Sequence, residues 1–126
     1  TYTFETGITA NPSATTLAVN NCIIIRYSNG VNSGKFLGVV RGNTGTETTA
    51  DLGVTVAANT MYVLTVCHNA ANTEARFYIN GAFCGVVTSG MPLGTVTMGD
   101  RSIIVKSAGI TSRSANIAYK TFLAIL

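Results

Sequence analysis

The sequence predicts an all-β protein, a two-sheet antiparallel β-sandwich of about nine or ten strands in a single domain over residues 1–126. Three observations predict it. Helical periodicity is weak throughout. Short runs rich in Val, Ile, Thr, Tyr and Phe recur between clusters of Gly, Asn, Ser and Thr, the pattern of strands punctuated by turns. The pair Asn80-Gly81 stands between two β-rich runs, and both residues tolerate the positive φ that a two-residue hairpin turn demands.

From the N-terminus, Tyr2, Phe4 and Ile8 alternate with Thr, which reads as a half-buried strand over residues 2–8. Asn11-Pro12-Ser13 is a turn. Residues 21–28 carry Cys22-Ile23-Ile24-Ile25 and then Tyr27, a strand with both faces partly covered. Residues 28–35 (SNGVNSGK) are a loop dense in turn formers. Residues 36–41 form the next strand, Asn43-Thr44-Gly45 a turn, and 46–49 a polar strand; 51–58 bridge to Asn59-Thr60. Residues 61–67 (MYVLTVC) are the most apolar strand, followed by a turn at 68–73. Residues 74–80 lead into the Asn80-Gly81 turn and 83–88 return from it. Residues 101–106 and 116–125 supply the last two strands, and neither an internal repeat nor a domain boundary is visible.

Composition narrows the function. Hydrophobic residues make up 47% of the chain, but only 10% is charged, against about 25% for an ordinary soluble domain. Such a surface defends poorly against association. It suits either a neutral, Thr- and Asn-rich extracellular β surface or a subunit covered by its neighbours. The net charge is +3, and the basic residues Arg26, Lys35, Arg41, Arg76, Arg101, Lys106, Arg113 and Lys120 are spread singly. They make no stripe of the kind a nucleic-acid binder presents. No apolar run approaches the roughly 18 residues of a transmembrane helix, and no signal peptide is visible. Cys22, Cys67 and Cys84 are odd in number and cannot close a disulfide framework. Each sits among apolar residues as a small hydrophobe, which points to folding in a reducing cytoplasm, with one pair and one leftover as the alternative.

The segment Phe77-Tyr78-Ile79-Asn80-Gly81, reached from Met61-Tyr62-Val63-Leu64, resembles the jelly-roll module of concanavalin A-like and laminin-G-like domains. The likeness is closest to a subgroup found in phage tail fibres and other virion proteins. Arg26-Tyr27-Ser28, Val31-Asn32-Ser33-Gly34, Thr46-Glu47-Thr48-Thr49, Ala57-Ala58-Asn59-Thr60, Met91-Pro92 and Ile104-Val105-Lys106-Ser107-Ala108-Gly109 carry it in family order over nearly the whole chain. The resemblance implies a virion module: capsid decoration (cement) protein, head fibre or tail-fibre domain. It would fold in the host cytoplasm before assembly, with other virion proteins and further copies of itself as partners. It also implies at least one strand upstream of residue 1. Where the subgroup has Trp, this chain has Phe36 and Met61.

Alternation along 61–67 adds a candidate assembly face. If Tyr62, Leu64 and Val66 face the core, then Met61, Val63, Thr65 and Cys67 face out, with Val86 and Val87 on the return strand. These positions are uncharged where the subgroup carries charge. An apolar outer face needs cover.

Chemistry is sparse. A glycan hydrolase of this fold needs two carboxylates about 5–9 Å apart, and only Glu47 and Asp51 have a suitable spacing. His68 is the single histidine, and its neighbour Cys67 points to the opposite face of a regular strand, which disfavours a dyad. No metal or cofactor is expected, and no enzymatic activity. The rival reading is a receptor-binding, lectin-like module recognising host surface glycans. Its candidate loop is Asn29, Asn32, Ser33 and Lys35, flanked by Tyr27 and Phe36; the plainer reading is a Gly/Asn turn beside ordinary strand aromatics.

Overall fold

A computed structural model of the chain describes residues 1–16, 19–110 and 114–115. Eight strands build two antiparallel sheets. Strands β1 (Tyr2–Thr9), β2 (Cys22–Ser28), β3 (Lys35–Arg41), β4 (Glu47–Thr55) and β8 (Gly99–Lys106) form the larger one, in the order β4-β3-β2-β1-β8. Strands β5 (Leu64–His68), β6 (Ala75–Ile79) and β7 (Ala82–Val87) form the smaller one in chain order. Among the described residues there is no α-helix, only a 3-10 turn at Asn32–Gly34. The count differs from the predicted nine or ten for two reasons. The polar run 46–49 and the segment after it are one strand, β4, that continues through Asp51. The predicted strand 116–125 lies outside the described residues.

The hairpin at Asn80-Gly81 forms as its residues dictate, with φ of 52° and 79°, and pairs Ile79 with Ala82 and Tyr78 with Phe83. Between the sheets lies the main core: Ile23 and Ile25 of β2, Phe36 and Val40 of β3, Leu52 of β4, and Ala75, Phe77 and Ile79 of β6. Cys22, Ile24 and Val39 form a second cluster on the other face of the larger sheet, with Val19 and Leu37 against it. The unbroken apolar run of β2 is thus covered on both faces, as an uninterrupted hydrophobic strand requires.

The sheets meet most closely where Phe77 lies on Gly38. A Cβ at Gly38 would stand 2.6 Å from the Phe77 ring, well inside van der Waals contact, so only glycine lets the ring rest on the β3 backbone.

The outer face of the larger sheet holds a buried charge network. Glu5 is 1% exposed. Arg26 Nε donates to its Oε1 at 2.7 Å and Arg101 Nη2 to its Oε2 at 2.8 Å. Arg26 also grips Glu47 through two bonds of 2.6 and 2.9 Å. Arg101 Nη1 donates to the carbonyls of Ala14 and Thr16, at 3.3 and 2.7 Å, and ties the β1–β2 connection to the sheet. The network joins β4, β2, β1 and β8 across the sheet.

Two substitutions test these contacts by urea unfolding. Glu5→Gln leaves Arg101 buried without its counter-charge and is expected to cost about 3–5 kcal/mol. Gly38→Ala overpacks the Phe77 contact and is expected to cost about 1–3 kcal/mol. An unchanged unfolding midpoint in either variant would show that the contact in question carries no weight.

Candidate functional site

The outer face of the smaller sheet is the most unusual surface of the molecule. Alternation along 61–67 sends Met61, Val63, Thr65 and Cys67 outward, and all four are exposed, Met61 at 78% and Val63 at 49%. Across the sheet Thr65 pairs with Tyr78 and Cys67 with Arg76; Tyr78 pairs in turn with Phe83, and Arg76 with Val86. Phe83 is 57% and Val86 40% exposed. The rings of Tyr78 and Phe83 meet edge to face, centroids 5.7 Å apart, which holds the aromatic centre of the patch in place. Arg76, a cation on this face, is paired with Glu74 at 2.8 Å.

Val87 does not belong to this face. It is 3% exposed and packs in the main core, opposite Ala75. The cause is a β-bulge. Phe77 pairs with Gly85 and Tyr78 with Phe83, so Cys84 is the extra residue. The bulge shifts the alternation of β7 by one, turning Val86 out and Val87 in. Neighbouring strand residues cannot share a face, so the two valines could not both point outward. Phe83, absent from the predicted face, could have been found by counting back across the Asn80-Gly81 turn, which sets it opposite the outward Tyr78.

The 28–36 loop is internally occupied. Asn29 Oδ1 accepts a 2.7 Å bond from the Tyr2 main-chain N–H. Asn32 and Ser33 adopt positive φ, 49° and 52°, within the 3-10 turn. Lys35 Nζ lies 3.4 Å from Asp51 Oδ2. The Gly53 N–H, with Lys35 adding to it, holds the Asp51 carboxyl below its usual range. Phe36, proposed as part of a sugar platform, is instead a core residue, 3% exposed. Its ring is packed edge-on between Tyr27, at 6.2 Å, and Tyr62, at 5.2 Å. Strand alternation explains this, because Phe36 shares the inward face of β3 with Val40.

The acids singled out by spacing are engaged elsewhere: Glu47 with Arg26 and Asp51 with Lys35. His68 is exposed, its Nδ1 3.1 Å from the Asn69 carbonyl. No group of three potential metal ligands occurs among the described residues. No protein-family model, no curated protein and no solved structure matches this chain.

The three cysteines are free and differ in environment. Burial, with the nearby Glu5 carboxylate adding to it, pushes the Cys22 thiol up from 9.0 to about 11, whereas Cys67 lies on the exposed face. Iodoacetamide near neutral pH should therefore alkylate Cys67 and spare Cys22, as read by peptide mass spectrometry. The raised value also has a sign for stability. Between its ordinary value of 9.0 and about 11 the unfolded chain releases the Cys22 proton while the native chain keeps it, so stability should fall as pH rises through that window. Equal labelling of Cys22 and Cys67 in the native protein would contradict this placement.

Proposed function

We propose that this chain is a non-enzymatic structural module of a bacteriophage virion, a capsid decoration, head-fibre or tail-fibre domain that works by protein–protein assembly. The observation that carries the assembly role is the apolar outer face of the smaller sheet, where Met61, Val63, Phe83 and Val86 stand exposed around Tyr78. Contiguous apolar patches on a soluble domain mark interaction surfaces, and aromatic anchors at the centre of a patch dominate interface energetics. The scarcity of charge acts in the same direction. The virion setting, with the concanavalin A-like jelly roll as its finer fold, comes from the ordered set of motifs between Arg26 and Gly109. Other virion proteins and further copies of the chain are the partners this implies.

The glycan-binding reading draws less support. Its loop spends Asn29 and Lys35 on contacts within the domain and buries Phe36. The catalytic reading would need a carboxylate pair, and Glu47 and Asp51 are each drawn to a different cation.

Val63→Lys and Phe83→Lys test the assembly role, because each leaves the core untouched and sets an ammonium group in the middle of the contact. The wild-type chain is expected to form multimers, alone or with virion partners, by light scattering after size exclusion. Each variant should keep the wild-type circular dichroism spectrum and lose assembly affinity by at least about tenfold, the cost of burying an unpaired charge. Assembly at wild-type affinity in both variants would end the proposal.

A further inference from the structure

The sequence holds two Asn-Gly pairs, Asn29-Gly30 and Asn80-Gly81. Such a pair carries its own reaction: the glycine main-chain nitrogen can attack the asparagine side-chain carbon, because glycine has no Cβ to keep its backbone at a distance. Both pairs sit in turns, and both are clamped in the same way. The Asn29 N–H donates to the Tyr2 carbonyl at 3.2 Å, and its Oδ1 accepts from the Tyr2 N–H at 2.7 Å. The Asn80 N–H donates to the Val63 carbonyl at 2.8 Å, and its Oδ1 accepts from the Val63 N–H at 2.9 Å. In each case the asparagine side chain stands in for a main-chain carbonyl and extends a strand ladder by one step.

The clamp keeps the reacting atoms of Asn80-Gly81 apart. Ring closure needs the glycine nitrogen to eclipse Cβ about the asparagine Cα–C bond. With φ of 52° at Asn80 and 79° at Gly81, the hairpin turn is of type I′, in which that nitrogen lies nearly opposite Cβ. The reaction waits for the turn to open, and the two turns differ in what opening takes. Tyr2, which clamps Asn29, belongs to β1 and is paired on its other side with Lys106 of β8. Asn29 itself is half-buried. Val63, which clamps Asn80, precedes β5 and lies beyond the end of the ladder, where Leu64 pairs with Ile79. Asn80, Gly81 and Ala82 are all exposed. A hairpin tip beyond the end of its ladder frays at little cost, whereas a strand end held on both sides opens less often.

We propose that Asn80 is a self-modification site, deamidated through Gly81, whose product disables the outer face of the smaller sheet. In the opened turn, solvent base takes the Gly81 N–H proton and the nitrogen bonds to Asn80 Cγ. The Cγ–Nδ2 bond breaks, ammonia leaves with a proton returned from water, and a five-membered imide is closed. Water then opens the ring. Attack at Cγ restores the original main chain and leaves aspartate. Attack at the Asn80 main-chain carbonyl carbon breaks its bond to the Gly81 nitrogen, so that the chain runs on through Cβ and Cγ as isoaspartate. Either product sets a carboxylate at the margin of the face that holds Tyr78. Isoaspartate also inserts a methylene into a two-residue turn, which takes residue 80 out of register with Val63 and disturbs the pairing of Tyr78 with Phe83 behind it. Val63 and Phe83 are both part of the exposed apolar patch. The site stands on the turn geometry alone; only its effect on multimers rests on the assembly reading.

Ageing the full chain in mildly alkaline buffer tests it, with peptide mass spectrometry after digestion in mild acid and isoaspartyl methyltransferase to mark isoaspartate. The Asn80 peptide should pass from amide to acid at least about tenfold faster than the Asn29 peptide, as a frayed tip differs from a held strand end. Val63→Pro removes the N–H that Asn80 Oδ1 accepts. It should speed conversion at Asn80 by at least about threefold, the hold of one hydrogen bond, and leave Asn29 unchanged; if this variant does not fold, the wild-type ratio decides. Asn80→Gly keeps the positive φ without the amide and should show no conversion at residue 80. Multimers of the wild-type chain should be lost in step with isoaspartate, while those of Asn80→Gly persist. Amide exchange at Val63, slow in the fresh chain and fast in the isoaspartate form, reads the damage whether or not multimers form. A chain that converts at Asn80 but never multimerises ends the assembly reading and leaves the site standing. Conversion at Asn80 no faster than at Asn29 overturns the site, and a folded Val63→Pro with the wild-type rate overturns the clamp. Complete conversion with multimers and Val63 protection both undiminished overturns the disabling effect.

Discussion

The contact of the Phe77 ring with the Gly38 backbone decides how the two sheets can stack. A ring lying directly on a main chain brings β6 down over β3 and fixes both the separation and the lateral position of the smaller sheet. From that position Ile23, Ile25 and Val40 on one side and Ala75 and Ile79 on the other close into one core. It also sets where the smaller sheet ends. With β6 over β3, β7 comes against β4, and β5 lies over β2 and the near margin of β1.

Charge is distributed as unevenly as strand number. The chain has few acids, and Glu5, Glu47, Asp51 and Glu74 are each held in an ion pair within the domain. Glu5, Arg26, Glu47 and Arg101 knit the outer face of the larger sheet together, so most of the ionic chemistry is spent on one side of the molecule. Buried pairs of this kind add little net stability, but removing one member is costly. Their consequence for function is indirect: few charges remain to keep the opposite face out of contact with other proteins. The apolar patch around Tyr78 and Phe83 lies on that face, where Arg76 is neutralised by its pairing with Glu74.

Much of the fold was legible in the residues, and less of the candidate site. The alternation of 61–67 assigned Met61, Val63, Thr65 and Cys67 to the outside because side-chain direction in a strand has a period of two. That rule fails where the period breaks. Nothing local in the run Phe83-Cys84-Gly85-Val86-Val87 declares that Cys84 is an extra residue, so periodicity alone puts Val87 outside. Phe36 is ambiguous in sequence for a related reason: a strand aromatic beside a polar loop has the same local sequence whether its ring faces a sugar or a core.

The residues alone tell that this is an all-β chain, that a tight hairpin turns on Asn80-Gly81, that β2 is covered on both sides, and that the surface is short of charge. These follow from local rules: backbone preference, periodicity and composition. It took the packed fold to bury Glu5 between Arg26 and Arg101, to re-aim the valines of β7 through a bulge, and to set a sheet of five described strands against one of three. Each of these depends on which strands become neighbours across long stretches of chain, and that pairing is a property of the packed whole, because no single segment encodes its partner.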